Sequence, residues 1–470
     1  MSAPAVQFKQ DATRLSADLR HRRIIQTAMG KYETVRDQRK AAFQNWEEAR
    51  QLAAITKWEA INHLDAYLEQ LVSKLESRGT KVHWATTARQ ARDTILGVLR
   101  AAKARVIVKS KAMTAEEIHL NQALEQAGFE VVESDLGEFI VQLREEPPYH
   151  IVFPAMHLTR DEIKEVFDRK LGDAPSNDPE QLTMVARRVL REKYLQADAG
   201  ITGANFAIAE TGMISITENE GNARLTSALP RVMITLIGIE KVLPRLEDLA
   251  LFLPMLAAMG TGQTVTCYNT LYGGPRQPGE PDGPEEYHVV LVDNGRSATL
   301  GGPFNDMLRC IRCGACMNHC PVYHAVGGHA YGWVYPGPMG AVLTPLLIGV
   351  AEGGHLPNAS TLCGRCEAVC PVRIPLPKLM RLWREREFVR GLTPPAARAG
   401  LRLWAFFAKR PTLYRFATDL AMRALALVGR RRGRFGWLLL AGGWTRWRDF
   451  PTPQGASFQS RWRAKSGPTQ

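Results

Sequence analysis

At 470 residues, 45% hydrophobic and 23% charged, the chain has the composition of an ordinary globular protein with room for roughly two to three domains, which excludes a disordered or fibrous chain. Its apolar stretches, around Leu249 to Met259, Ala341 to Val350 and Phe435 to Ala441, stop short of the ~18 residues that a membrane-spanning helix requires. The formal net charge of +13 is unevenly placed, because residues 381–470 hold nineteen lysines and arginines against four acids.

The N-terminal segment MSAPAVQFKQDATRL is polar and carries no secretory signal, and no apolar core follows the Arg22-Arg23 pair. Residues 1–78 read as a helical N-terminal segment, with Trp46, Ile55, Trp58, Ile61, Leu64, Leu68, Leu71 and Leu75 recurring at spacings of three and four. From residue 79 to 297 short apolar runs alternate with amphipathic stretches, which predicts an α/β domain with a parallel sheet. ITGANFAIAE, MISIT, RVMITLIGI and YHVVLVDNG are read as later strands of that same sheet. Gly273 to Glu286, rich in Gly and Pro, is a surface loop. Residues 298–380 form a cysteine-bearing module, and residues 381–470 a basic region rich in Trp and Arg.

Seven of the eight cysteines fall in two runs, Cys310-x2-Cys313-x2-Cys316-x3-Cys320-Pro321 and Cys363-x2-Cys366-x3-Cys370-Pro371. This is bacterial ferredoxin spacing, in which three close thiolates wrap one cluster and the fourth ligates its neighbour. Cys310, Cys313, Cys316 and Cys370 are assigned to one [4Fe-4S] cluster, and Cys320, Cys363 and Cys366 to a second. The second is one thiolate short, since Ser360 stands where the missing cysteine would be. Its fourth ligand is open among Ser360, Cys267, His319, His324 and water, with an incomplete [3Fe-4S] cluster as the alternative. Structural zinc would need eight ligands in paired knuckles, and the runs do not divide that way. A thioredoxin-like role fails because neither pair opens a helix after a strand. Cysteines gathered like this are not a secreted disulfide framework, and a reducing cytoplasm is expected.

Other signals are weaker. Arg309, Arg312, Arg365 and Arg373 flank the ligands, where positive charge would raise a cluster's potential. Glu210, as a base, and Arg224, as a carboxylate clamp, are the candidate catalytic pair, because both follow apolar strands. Gly260-Thr261-Gly262-Gln263 lacks the residues of a phosphate loop. His157, His329 and His355 are read as isolated structural histidines, and Cys267 as a small buried hydrophobe. The tryptophans Trp404, Trp437, Trp444, Trp447 and Trp462 among arginines suggest a dock for a partner subunit first and an anionic membrane surface second, with no nucleic-acid motif present.

The segments IRCGACMNHCPVYHAVGGHAYGWVYPGPMGAVLTPLL, TLCGRCEAVCPVRIPL, GITGANFAIAETG, ENEGNARLTSALP, DGPEEYHVVLVDNGRS and KSKAMTAEEIHLN resemble the lactate utilisation protein B family from near residue 10 to the C-terminus. The resemblance implies the iron-sulfur electron-transfer subunit of a three-protein complex that oxidises L-lactate to pyruvate and allows growth on lactate. It also implies two partner subunits and an electron acceptor or quinone-linked carrier, while the basic Trp-rich tail is what suggests a peripheral position at the inner face of the membrane. The domain at 79–297 would be a lactate-utilisation domain, similar in fold to sugar-phosphate isomerase and CoA-transferase sheets. The family pattern also has three cysteines in the second run. Two alternatives stand beside it: an electron-transfer subunit of another 2-hydroxyacid or glycerol-3-phosphate type dehydrogenase, and a redox-sensing module. Whether the subunit is itself catalytic is open.

Overall fold

The computed structural model describes residues 3–173, 176–438, 441–445 and 448–466. The chain divides into two compact units, one up to Arg390 and one from Gly391.

The first unit begins with four helices, α1 (Ala3–Ala17), α2 (Leu19–Lys40), α3 (Trp46–Asn62) and α4 (Leu64–Glu76). Asp18 and Asn45 cap α2 and α3 by accepting the backbone N–H groups of His21 and Glu48. In α4 the expected stripe of Leu64, Leu68, Leu71 and Leu75 is buried. In α3 it is not: Ile55 and Trp58 are exposed, and the buried face carries Arg50, Ala53, Ala54, Lys57, Ala60 and Ile61. The reason is polar. Lys57 Nζ donates to the carbonyls of Glu240 (2.5 Å) and Val242 (3.1 Å), and small alanines let the helix approach them.

The strands are β1 (Lys81–Ala85), β2 (Val106–Lys109), β3 (Glu130–Glu133), β4 (Ala199–Gly203), β5 (Phe206–Ile208), β6 (Met213–Glu218), β7 (Val232–Gly238), β8 (Val242–Leu243), β9 (Tyr268–Tyr272) and β10 (Glu286–Val292). Six pair in parallel, in the order β1-β10-β7-β4-β2-β3. Strands buried on both faces, such as β7, read as continuous apolar runs for that reason. The expectation that FAIAE and MISIT extend this sheet is corrected: β5 and β6 belong to a second, four-stranded sheet, β8-β5-β6-β9. After β4 the chain turns at Asn205, whose N–H donates to Ser215 and whose side chain accepts from Thr217 N, so β5 pairs antiparallel with β6. A buried apolar run does not say which sheet takes it. Gly273 to Glu285 carries no helix or strand, as expected.

The largest core cluster joins α2, the helix Leu249–Gly260 and the cysteine module, including Cys313, Cys320, Cys366 and Cys370. The N-terminal helices thus form part of the wall around the cysteines.

The second unit pairs two helices, Pro395–Ala408 and Pro411–Gly429, with a two-residue strand pair and a helix over Phe458–Ser466. Trp404, Trp437 and Trp462 are exposed. Trp447 and the Trp444 side chain lie outside the described residues.

Candidate iron-sulfur site

The two cysteine runs share one backbone design. In the first, Arg312 takes φ 60°, Gly314 φ 79°, and a short helix spans Ala315–Asn318 before Cys320-Pro321. In the second, Leu362 takes φ 55°, Gly364 φ 83°, and a short helix spans Arg365–Ala368 before Cys370-Pro371. Glycine adopts the left-handed conformation freely, whereas a non-glycine held there costs ~1–3 kcal/mol, so the surroundings enforce the turn at Arg312 and Leu362.

Cys310, Cys313, Cys316 and Cys370 line one small apolar cavity with Met339 and Ile374, so the second run delivers its last thiol to the first. Cys320, Cys363 and Cys366 are electrostatic neighbours of one another. Cys316 also senses Cys366, so the two groups adjoin. Cys363 is exposed. Burial pushes the thiols of Cys313 and Cys366 up to about 12 and that of Cys370 to about 11. Ligation by these thiolates therefore releases protons.

The donor set fits an iron-sulfur group, and so does its setting. Arg36 of α2 is buried, donates from Nε to Met259 O at 2.7 Å, and has Cys313 as its leading charge partner. Its Nη1 and Nη2 have no partner. Unpartnered buried donors are costly, and an anionic centre on Cys313 would relieve them. Arg50 of α3 holds the second run, donating to Cys370 O (3.0 Å) and Glu367 O (3.1 Å). Of the four arginines read as flanking, Arg312 is buried, Arg309 half-buried, and Arg365 and Arg373 exposed. Nothing local in the sequence marks Arg36 or Arg50, which reach these sites from hundreds of residues away.

Beside the first group lies a cavity of about 300 Å³. It sits where β2 and β4 leave the parallel sheet, the point at which strand order reverses and open α/β sheets take their ligands. Lys111, Asp135, Glu220, Lys241 and Arg312 line it, and Cys313 forms part of its wall. Lys111 Nζ donates to Asp135 (3.2 Å) and to Val152 O (3.0 Å). Burial and the neighbouring Asp135 raise Glu220 to about 7, and burial lowers Lys241 to about 8.

Glu210 and Arg224 stand outside this cavity. Glu210 is exposed and accepts from Leu246 N, while the Arg224 guanidinium lies 5.1 Å from the centre of the Tyr268 ring. His157 and His329, read as structural, each make a hydrogen bond, His157 Nε2 3.0 Å from Glu146 Oε2 and His329 Nε2 2.8 Å from Pro147 O, and the structure brings both together with Glu146. Cys267 is exposed rather than buried, because it precedes the edge strand β9.

Four thiols closing on one cavity from two ferredoxin-type runs, beside a buried guanidinium whose Nη1 and Nη2 lack partners, define an iron-sulfur protein. Comparison with known proteins agrees: residues 68–292 match the LUD domain, 306–374 the 4Fe-4S dicluster domain, and 390–466 the C-terminal region of lactate utilisation protein B. Lactate utilization protein B of Oceanobacillus iheyensis is 44% identical, covering 95% of this chain and 93% of that one. The protein of the same name in Geobacillus kaustophilus is 46% identical, covering 88% of each. An uncharacterized electron transport protein of Escherichia coli, YkgF, is 43% identical, again covering 88% of each. The chain belongs to the lactate utilisation protein B family. Among the described residues no helix is long and apolar enough to cross a membrane.

Proposed function

We propose that this chain is the iron-sulfur electron-transfer subunit of a complex that oxidises L-lactate to pyruvate. The observation that carries the reading is the meeting of Cys370 with Cys310, Cys313 and Cys316 around one cavity. In this reading those four hold one [4Fe-4S] cluster, and Cys320, Cys363 and Cys366 hold a second. Such groups, when bound, exchange single electrons at potentials set by nearby charge and solvent. The protein's share is to hold the two groups side by side, to set Arg36 and Arg312 near the first, and to exclude water from it. Residues 79–297 are the lactate-utilisation domain, similar to sugar-phosphate isomerase and CoA-transferase sheets, and 298–380 the two-cluster domain. Residues 381–470 dock one of two partner subunits, at the cytoplasmic face of the membrane. The test is to mix loaded protein with its partners and lactate: bleaching of the visible absorbance supports the reading, and no reduction by lactate under any partner combination rejects it.

A second reading, in which the α/β part also binds the hydroxyacid, is favoured by the cavity at the sheet's switch point. Glu220→Gln and Lys111→Met would then abolish turnover while leaving iron content intact. Undiminished turnover removes this reading.

A further inference from the structure

Resting on the two-cluster reading, we infer that Ser360 supplies the fourth ligand of the second group through its Oγ. Ser360 precedes Cys363 by three residues, as Cys310 precedes Cys313, and both lie in the β region, Ser360 at φ −117°, ψ 139° and Cys310 at φ −63°, ψ 121°. Each is followed two residues later by a non-glycine held left-handed, Leu362 or Arg312, and four residues later by a left-handed glycine. A similar backbone path, with the same left-handed positions after it, puts Ser360 in the seat that Cys310 occupies in the first run.

The side chain is also set as a ligand is set. Cys313, Cys320 and Cys370 each accept the backbone N–H of the residue two positions on, from Ala315, Val322 and Val372. Ser360 Oγ does the same, accepting from Leu362 N at 3.1 Å. Arg384 fixes the segment, with Nη2 donating to Ser360 O at 2.7 Å and to Pro357 O at 2.8 Å.

The rivals are otherwise engaged. Thr266, next to Cys267, lines the cavity walled by Cys313, which puts Cys267 on the side of the group that already has four thiols. His324 Nε2 is hydrogen-bonded to Asn318 O at 2.7 Å. His319 Nδ1 is 2.5 Å from Glu33 Oε1, and its Nε2 is buried without a partner, which makes it the strongest competitor. Its counterpart in the repeat is Val369, and Val369 does not line the first cavity although Cys370, Pro371 and Val372 do. The repeat therefore gives His319 no counterpart among the ligand positions of the first group.

Ligation forms an iron–oxygen bond and breaks the Ser360 O–H bond, with the proton leaving to solvent past the exposed Cys363. An alkoxide is a harder donor than a thiolate and favours ferric iron, so the second group should have the lower potential at that corner.

The test uses full-length protein purified without oxygen, with iron and sulfide counted and electron paramagnetic resonance recorded before and after reduction. The expected results are about eight irons in the native chain, about seven with an oxidised [3Fe-4S] signal in Ser360→Ala, and eight with a higher second potential in Ser360→Cys. Ser360→Ala retaining the native count and spectrum, or His319→Ala losing the iron instead, overturns the assignment while leaving two clusters standing. A native chain with about seven irons also overturns it, and one with about four or fewer overturns the two-cluster reading along with it.

Discussion

Arg312 donates to Glu240 at 3.0 Å, and this bond ties the first cysteine run to the C-terminal end of β7, a central strand of the parallel sheet. The other oxygen of Glu240 accepts from Arg296 Nε at 2.5 Å, and Arg296 in turn meets Glu117, which accepts from Tyr335. All of these side chains are buried. Charges so deep are retained only when each is matched, and Glu240 matches two.

Removing that carboxylate should therefore cost ~3–5 kcal/mol, because Arg312 and Arg296 are left uncompensated. Glu240→Ala should lower the denaturant midpoint accordingly. Burial pushes Glu240 up, but the Arg296 and Arg312 guanidiniums outweigh it and hold the carboxyl down to about 2. Its contribution is thus complete above the ordinary carboxylate range and is lost as pH falls toward 2. Denaturant titrations from pH 7 to pH 3 should show a decline in the native protein that is shallower in Glu240→Gln.

The proposed cross-ligation makes a counterintuitive demand on mutants. Cys320→Ala, a change in the first run, should empty the second site and leave about four irons per chain with the first site's signal intact. Cys370→Ala, a change in the second run, should empty the first. Iron analysis with paramagnetic resonance decides it, and loss from the mutated run's own site would refute the arrangement.

Arg50 bonds two carbonyls of the second run and should matter to retention of the group rather than to its chemistry. Charge-assisted hydrogen bonds contribute ~1.5–3 kcal/mol each, so Arg50→Ala should release iron to a chelator roughly tenfold or more faster. Arg50→Lys, without the planar fork, should restore little of that. Following absorbance under chelator measures both.

The C-terminal unit presents Trp404, Trp437 and Trp462 to solvent amid its arginines. Exposed tryptophan and arginine are the residue types that anchor interfaces. Trp404→Ala combined with Trp462→Ala should weaken capture of the partner subunits by roughly tenfold or more without changing the melting temperature. Added salt should weaken capture further. Binding to anionic vesicles instead of to partners would move the membrane face to first place.

The cysteine chemistry was legible because ligands within a run are neighbours in sequence, so spacing alone reports geometry. The parallel sheet was legible for a similar reason, since alternation of strand and helix is local. What escaped depended on distant partners. Ile55 and Trp58 looked like core because their spacing is helical, yet α3 turns Lys57 and Arg50 inward to carbonyls that no local pattern announces. Arg36 meets Met259 across 223 positions. Glu210 and Arg224 each follow a strand of the smaller sheet, and Glu218, Glu220, Asn222 and Ala223 after β6 line the cavity while Arg224 itself lies over Tyr268, an offset that no local pattern announces.

The seating of Cys370 beside Cys310 also has a bearing on how the protein is born. Under the proposed ligand sets, the first three thiols emerge during synthesis well before their fourth, and a group at Cys320 would wait for Cys363 and Cys366. No site can be closed until nearly all of the first unit has left the ribosome, by which time α2 and α3 already offer Arg36 and Arg50. In that assignment iron and sulfide would reach a chain that has emerged almost whole, and a chain truncated anywhere before Cys363 would have no complete centre to fill.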